Sequence, residues 1–268
     1  MSGPESEHSD RAHFLAVDVG NSRTKCAVCH GRELFSQWSF PTSERSVAAA
    51  PDGLRDGWRS HGVDVPPPGA VVVASVVDGA AKDILQASEA VWGVQGAEVT
   101  SRTDLGLVVD VPRPEIVGVD RLLGASEAFR LFGGPVVVAS LGTVTALSAV
   151  TGDGRFVGGA LCPGAQTAAW SVHARTSRLP DVSPSPPVSA LGTDTQSAIC
   201  SGVVYGTAGA LDRLASELAG ELGGRAILVL TGGESGLLSP LLRMPHTVEP
   251  DLVLRGLASV FLGGAAGA

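Results

Sequence analysis

Asp18 is the penultimate residue of the largely apolar run Phe14–Val19, which is followed at once by Gly20 and the donor-rich stretch Asn21-Ser22-Arg23-Thr24-Lys25. A carboxylate at the end of a buried strand is costly unless something cationic meets it. Magnesium on the phosphates of a nucleotide would satisfy it, since that ion is commonly held by one or two carboxylates. A hairpin turn capped by Asp and Asn accounts for the same residues equally well. The stretch is neither a Walker-type loop nor a GxGxxG fingerprint. A second turn of the same design, "SLGTVT" from Ser140 to Thr145, opens on a hydroxyl where the first opens on a carboxylate. Its amides and the Thr143 and Thr145 hydroxyls could cradle phosphate oxygens. "TGG" at 231–233 is a third glycine turn at a strand end.

A different kind of signal lies in "RPEIVGVDR", Arg113 to Arg121. Asp120 and Arg121 are adjacent at the expected start of a helix, where exposed N–H groups favour a carboxylate. One reading is a helix-start Asp beside a surface Arg. The other is a general base, Asp120, next to a cation that grips an anionic substrate, Arg121.

Alternating or continuous apolar runs predict strands over "FLAVDVG", "KCAVCHG", "ELFSQWSF", "AVVVASVV" and "LGLVVDV". A helix broken at Pro51 is expected within 43–62, and further helices over Asp78–Val91 and Val119–Phe132. The pattern then restarts. "VVVAS", "TALSAVT" and "RFVGGAL" form a second meander, followed by a helix from Gln166 to Ala174. "SPSPPVS" reads as a surface loop. The longest helical stretch begins at Asp194, and Gly202, Gly206 and Gly209 on one face of it suggest close packing against a neighbouring element. The strand "AILVLTGG" and two short helices close the chain. Two meanders, each followed by helices and a further buried strand, predict a duplicated α/β architecture with a cleft between lobes.

The 268 residues suffice for two lobes with real cores. A hydrophobic content of 44% with 17% charged residues argues against extended disorder. The net charge of -8 and pI near 5.2 argue against a nucleic-acid surface, which requires a basic patch. No apolar run reaches the roughly 18–20 residues of a membrane span. Residues 1–12 are polar and are expected to be a disordered leader, with an N-terminal lobe over 13–116 and a C-terminal lobe over 117–268. Cys26 and Cys29 suggest a metal or redox pair, but they fall in a β-branched apolar segment, where residues three apart point to opposite faces. They are expected to be reduced core residues in a cytoplasmic protein.

Taken in order, "DVGNSRTK", "RPEIVGVDR", "LGTVTAL", "FVGGALCPGAQ" with "ARTSRLPDV", "LGTDTQSAICSGVVYG", "TGG" and "HTVEPDLVLRGL" resemble the type III pantothenate kinases of the actin-like ATPase superfamily. The resemblance runs from about residue 14 to 262. It implies a duplicated, ribonuclease H-like fold with a nucleotide cleft, and ATP-dependent phosphorylation of pantothenate, the first step of coenzyme A synthesis. Asp18, Val19, Gly20, Asn21, Ser22, Arg23, Thr24 and Lys25 would form the first phosphate loop, with Asp18 on magnesium. Thr143 would contact ATP from the second loop. Gly118, Val119, Asp120 and Arg121 would bind pantothenate, with Asp120 taking the hydroxyl proton and Arg121 meeting the carboxylate. Thr195 would be a further substrate contact, from a neighbouring subunit of a homodimer.

The chain departs from the resemblance in three places. Ser140 stands where the family has an aspartate that helps hold a monovalent cation, potassium or ammonium. Ser148 stands where the family often has Asp, and Val111 where a tyrosine often lines the pantothenate pocket. Three readings follow: an active kinase with an altered cation requirement, a non-catalytic homologue with a binding or regulatory role, or an enzyme of this fold with another acceptor or phosphatase chemistry.

Overall fold

The structure, a computed structural model, describes residues 13–42, 50–61, 66–186 and 189–265. The expected leader and the first part of the 43–62 helix lie outside the described residues. Packing divides the chain into two compact units, Met1–Thr100 with Leu257–Ala268, and Ser101–Gly256. Ser101–Ile116, assigned from sequence to the first lobe, thus groups with the second unit, and the end of the chain with the first.

The first unit is built on strands β1 (Phe14–Val19), β2 (Arg23–His30), β3 (Glu33–Pro41), β4 (Ala70–Ser75) and β5 (Gly96–Val99), in the order β3-β2-β1-β4-β5. β1 runs antiparallel to β2 and parallel to β4. Helices α1 (Ala50–His61) and α2 (Ala80–Trp92) supply Leu54, Trp58 and Ile84 to a core with Leu15, Val17 and Val73. Pro51 sits in the first turn of α1, where its missing N–H removes no intrahelical bond; a break of the expected helix there falls on 43–49, outside the described residues. Cys26 and Cys29 are free and buried, and burial pushes the Cys29 thiol up to about 12. That suits inert core residues and neither redox chemistry nor metal binding.

The second unit repeats the plan. Its strands are β6 (Val108–Val109), β7 (Val136–Leu141), β8 (Val144–Val150), β9 (Arg155–Pro163), β10 (Ile227–Thr231) and β11 (His246–Val248), ordered β11-β10-β7-β8-β9-β6. β7 is antiparallel to β8 and parallel to β10, as β1 is to β2 and β4. With β6 set aside, the two sheets have one topology. β6 covers only two residues of the expected "LGLVVDV" strand, and β11 lies where no strand was expected.

Helix α3 (Val119–Phe132) packs on β7 and β8. Helices α4 (Ala165–Ala174) and α5 (Thr195–Glu221) follow β9. Strand alternation separates the two faces of the sheet. Val137, Ala139, Leu141 and Leu147 form a core with Val204 and Leu211 of α5. Ser140 and Ser148 therefore point to the opposite face, the one that α3 covers. A one-turn helix, α6 (Ser235–Leu238), and α7 (Leu252–Ala265) complete the chain. Among the described residues, no helix is long and apolar enough to cross a membrane.

Candidate active site

In the first unit, Asp18 is the penultimate residue of β1, 9% exposed, and its register partners are Lys25 on β2 and Ala74 on β4. Gly20-Asn21-Ser22 makes the turn, closed by the Gly20 N–H donating to the Arg23 carbonyl at 3.1 Å. Asn21 and Ser22 are exposed at its tip, while Val19 and Thr24 are wholly buried. The Thr24 hydroxyl bonds that of Thr42 at 2.9 Å, and the Arg23 guanidinium is tied to Ser39 of β3 at 2.7 Å. Of this run, the buried carboxylate, the turn amides, the Asn21 and Ser22 side chains and the half-buried Lys25 have the chemistry to meet phosphate and its counter-ion. A hard oxygen ligand at a strand end fits magnesium held mainly by phosphate oxygens.

Three distant segments of the second unit converge on its glycine turn. Ser140, half-buried, is penultimate in β7, with Ala146 on β8 and Thr231 on β10 as register partners. Thr143 is exposed at the turn, and its carbonyl accepts from the Gly164 N–H at 3.1 Å and from the Thr167 hydroxyl at 2.6 Å. The "TGG" turn follows β10: Gly232 has φ +95°, and a Cβ there would collide with the Leu141 carbonyl. At Gly164 a Cβ would run into the Gly142 carbonyl. Only glycine allows these backbones to approach so closely. Glu234 then reaches the start of α4, its carboxylate accepting from the Ala165 N–H at 2.9 Å and the Gln166 N–H at 3.0 Å. α4 begins on Gly164, which has no side chain to cap it, so Glu234 supplies the missing acceptor. Thr145 does not serve the turn. It is fully buried on the core face opposite Leu141.

Asp120 and Arg121 open α3. Gly118 is the residue before the helix, its carbonyl accepting from the Arg121 and Leu122 N–H groups, and Val119 is buried. The Asp120 carboxylate accepts from the Arg121 N–H at 2.8 Å. Burial raises its pKa above the usual carboxylate range, against the opposing pull of that N–H and the Arg121 charge. The Arg121 side chain crosses to β8, where Nε donates to the Ser148 Oγ and Nη2 to the Leu147 carbonyl, both at 3.2 Å. Its guanidinium carbon stands 5.5 Å from the Phe156 ring centroid. Sequence reasoning missed Ser148, Leu147 and Phe156 in this role, as it missed Glu234. None is near its partner in the chain, so no spacing signals the pairing.

Similarity to known proteins gives the family of the chain. The profile described as "Type III pantothenate kinase" matches residues 14–217. The chain belongs to the type III pantothenate kinase family. It is 32% identical over 250 residues to the type III pantothenate kinase of Moorella thermoacetica, covering 92% of this chain and 98% of that one. Identity to a type III pantothenate kinase of Thermus thermophilus is 34% over 252 residues, with 93% and 99% covered. Solved structures with the same fold include the ethanolamine utilization protein EutJ from Carboxydothermus hydrogenoformans (TM-score 0.57, 12% identity, 92% of this chain and 89% of that one). Another is the activator of the 2-hydroxyisocaproyl-CoA dehydratase from Clostridium difficile with bound ADPNP (TM-score 0.53, 10% identity, 95% and 96%). This family of kinases has the actin-like ATPase fold, and both sheets of the chain follow its duplicated plan.

Thr195 is the first residue of α5 and exposed. It follows Asp194, whose side chain accepts from the Ser197 N–H at 2.9 Å while the Ser197 hydroxyl bonds back. This capping box holds Thr195 at a rigid helix start. Gly202, Gly206 and Gly209 are not packed against a neighbouring element: a Cβ at each would meet nothing within 4 Å among the described residues. Gly202 and Gly206 instead line an apolar groove of about 470 Å³ between α4 and α5, with Ala168, Val172 and Val203.

Proposed function

We propose that this kinase transfers the γ-phosphoryl group of ATP to the primary hydroxyl of pantothenate, giving 4'-phosphopantothenate and ADP at the start of coenzyme A synthesis. The observation that carries the reading is Asp120 beside Arg121 at the start of α3. The carboxylate is held by a backbone N–H with lone pairs to spare, and the guanidinium is fixed on β8. Asp120 takes the proton from the hydroxyl, the oxygen bonds to the γ-phosphorus, and the bond to the ADP oxygen breaks. A base whose proton affinity is raised by burial is better matched to neutral operation than an ordinary surface carboxylate. Gly118 and Val119 border the acceptor, and Arg121 orients its carboxylate.

The Asp18 carboxylate and the turn Val19–Lys25 meet the phosphates, with Val19 and Thr24 taking part through backbone. Thr143 contacts ATP from the second turn. Magnesium bound with ATP, to which Asp18 would be the protein ligand, supplies charge neutralisation at the phosphates. Positioning and neutralisation are most of what phosphoryl transfer asks of a protein. Ser140 offers a potassium or ammonium ion only a neutral oxygen, so the reading includes a weak monovalent-cation requirement. The working form is a homodimer in which Thr195 serves the partner's substrate. Support comes from the open glycine face of α5 together with exposed Trp170, Leu191 and Tyr205. Four unpaired thiols and the use of ATP suit the cytoplasm.

Purified protein with ATP, magnesium and pantothenate, with and without potassium, is expected to form 4'-phosphopantothenate detected by mass. Folded protein that forms none under either condition would overturn the kinase reading in favour of a binding or regulatory homologue. Sedimentation is expected to give the mass of two chains.

A further inference from the structure

Arg121 has five N–H donors, and the structure accounts for two. Nε and Nη2 form one edge of the guanidinium, and both donate into β8, to the Ser148 Oγ and the Leu147 carbonyl. The ring of Phe156 on β9 lies against the guanidinium. Ser148 and Phe156 are 2% and 1% exposed, so neither can follow a moving side chain. Among the described residues, no carboxylate lies within ion-pair distance of this guanidinium; Asp120 bonds the Arg121 backbone N–H and not the side chain. The remaining edge, Nη1 with the second Nη2 hydrogen, is a two-pronged fork that matches a carboxylate.

We infer that Ser148, seconded by Phe156, is a positioning residue that holds one edge of Arg121 so that the other edge, bonded to no carboxylate of the described residues, faces the carboxylate of the acceptor. Ser148 thus sets specificity for an anionic acceptor through Arg121, without itself touching substrate. A neutral hydroxyl suits this role, because it fixes the guanidinium with one hydrogen bond and leaves its charge for the ligand. The inference rests on the acceptor reading proposed above and adds the group that makes the site select for charge.

The test compares binding of pantothenate with pantothenol, in which a neutral alcohol replaces the carboxylate, by calorimetry on the full-length protein, alongside kinetics with ATP. Wild-type protein is expected to prefer pantothenate, and Arg121→Ala to abolish that preference. Ser148→Ala is expected to weaken pantothenate about 2- to 10-fold, the worth of one hydrogen bond, through KM with kcat within about twofold. Its affinity for pantothenol should stay unchanged. Phe156→Leu should act in the same carboxylate-selective direction. Equal losses for both ligands, or no loss for either, would show Ser148 to be merely structural and overturn the inference. A wild-type protein with no preference for the carboxylate would overturn both the role of Arg121 and the inference. Carboxylate-selective binding that Ser148→Ala diminishes, in a protein that turns over no pantothenate, would remove the kinase reading and leave the inference standing.

Discussion

The β1–β2 turn and the β7–β8 turn are the same object built twice. Each follows the penultimate residue of a central strand, which is antiparallel to the next strand and parallel to a later one. The residues at the matched positions differ. Asp18 faces Lys25 across one hairpin, and Ser140 faces Ala146 across the other. The second turn has neither the carboxylate nor its cationic register partner, and Ser140–Ala146 carries no charged side chain. Its supports differ as well. The first turn is braced within its own sheet, through Ser39 and Thr42, whereas the second is braced by the start of α4 and by Glu234 from beyond β10. Topology duplicates readily because it depends on the apolar pattern; the charged residues at a turn are free to diverge.

Exchanging the residues that distinguish the turns gives the largest effect. Asp18→Ser makes the first turn like the second and should lower turnover with ATP and pantothenate about 100- to 1000-fold, the usual cost of removing an electrostatic element from a transition state. A variant with near-normal rate would mean that the two turns are equivalent and that Asp18 holds no magnesium.

Asp120→Asn tests whether the chemistry resides at α3 and not at the turns. Turnover should fall at least about a hundredfold. The wild-type acid limb should lie above the ordinary carboxylate range, because the base must be ionised and burial raises its pKa. The same shift has a stability consequence. A carboxyl whose pKa is higher folded than unfolded favours the folded state below its unfolded pKa, and that contribution is lost as pH rises through the folded value. Asp120→Asn should therefore melt higher than wild type at neutral pH, and the gain should shrink as the pH falls toward about 4. A variant that is inactive and also less stable at neutral pH would make Asp120 a structural residue.

Glu234→Ala probes the brace that only the second turn has. Losing the acceptor for two N–H groups should cost about 1–2 kcal/mol in denaturant unfolding and raise the KM for ATP through Thr143. Unfolding free energy unchanged within about 0.5 kcal/mol would show the α4 cap to be dispensable. The smallest effect is expected of Ser140→Asp, which restores a carboxylate to the second turn. It should lower the potassium or ammonium concentration for half-maximal activity; an unchanged value would show that Ser140 does not limit cation binding.

Much of this was legible in the chain. The strand-turn-strand of both meanders follows from apolar runs punctuated by glycine, and Val119–Phe132 forms a helix as its spacing demands. The glycines of α5 were not legible, because spacing shows that three small residues share a face but not whether anything covers it. Glu234 and Ser148 could not be read either: the first caps a helix 69 positions away and the second braces an arginine 27 away.

The sequence alone determined the family, the duplicated plan and the ionisable groups available to it, since these depend on residue type and on local periodicity. Tertiary structure decided which of those groups are held, and by what. Arg121 gains its orientation from a strand that follows it by two elements, and α4 gains its cap from a turn after β10. Hydrogen bonds of that kind depend on distance in space, which strand order and packing set and residue spacing does not encode.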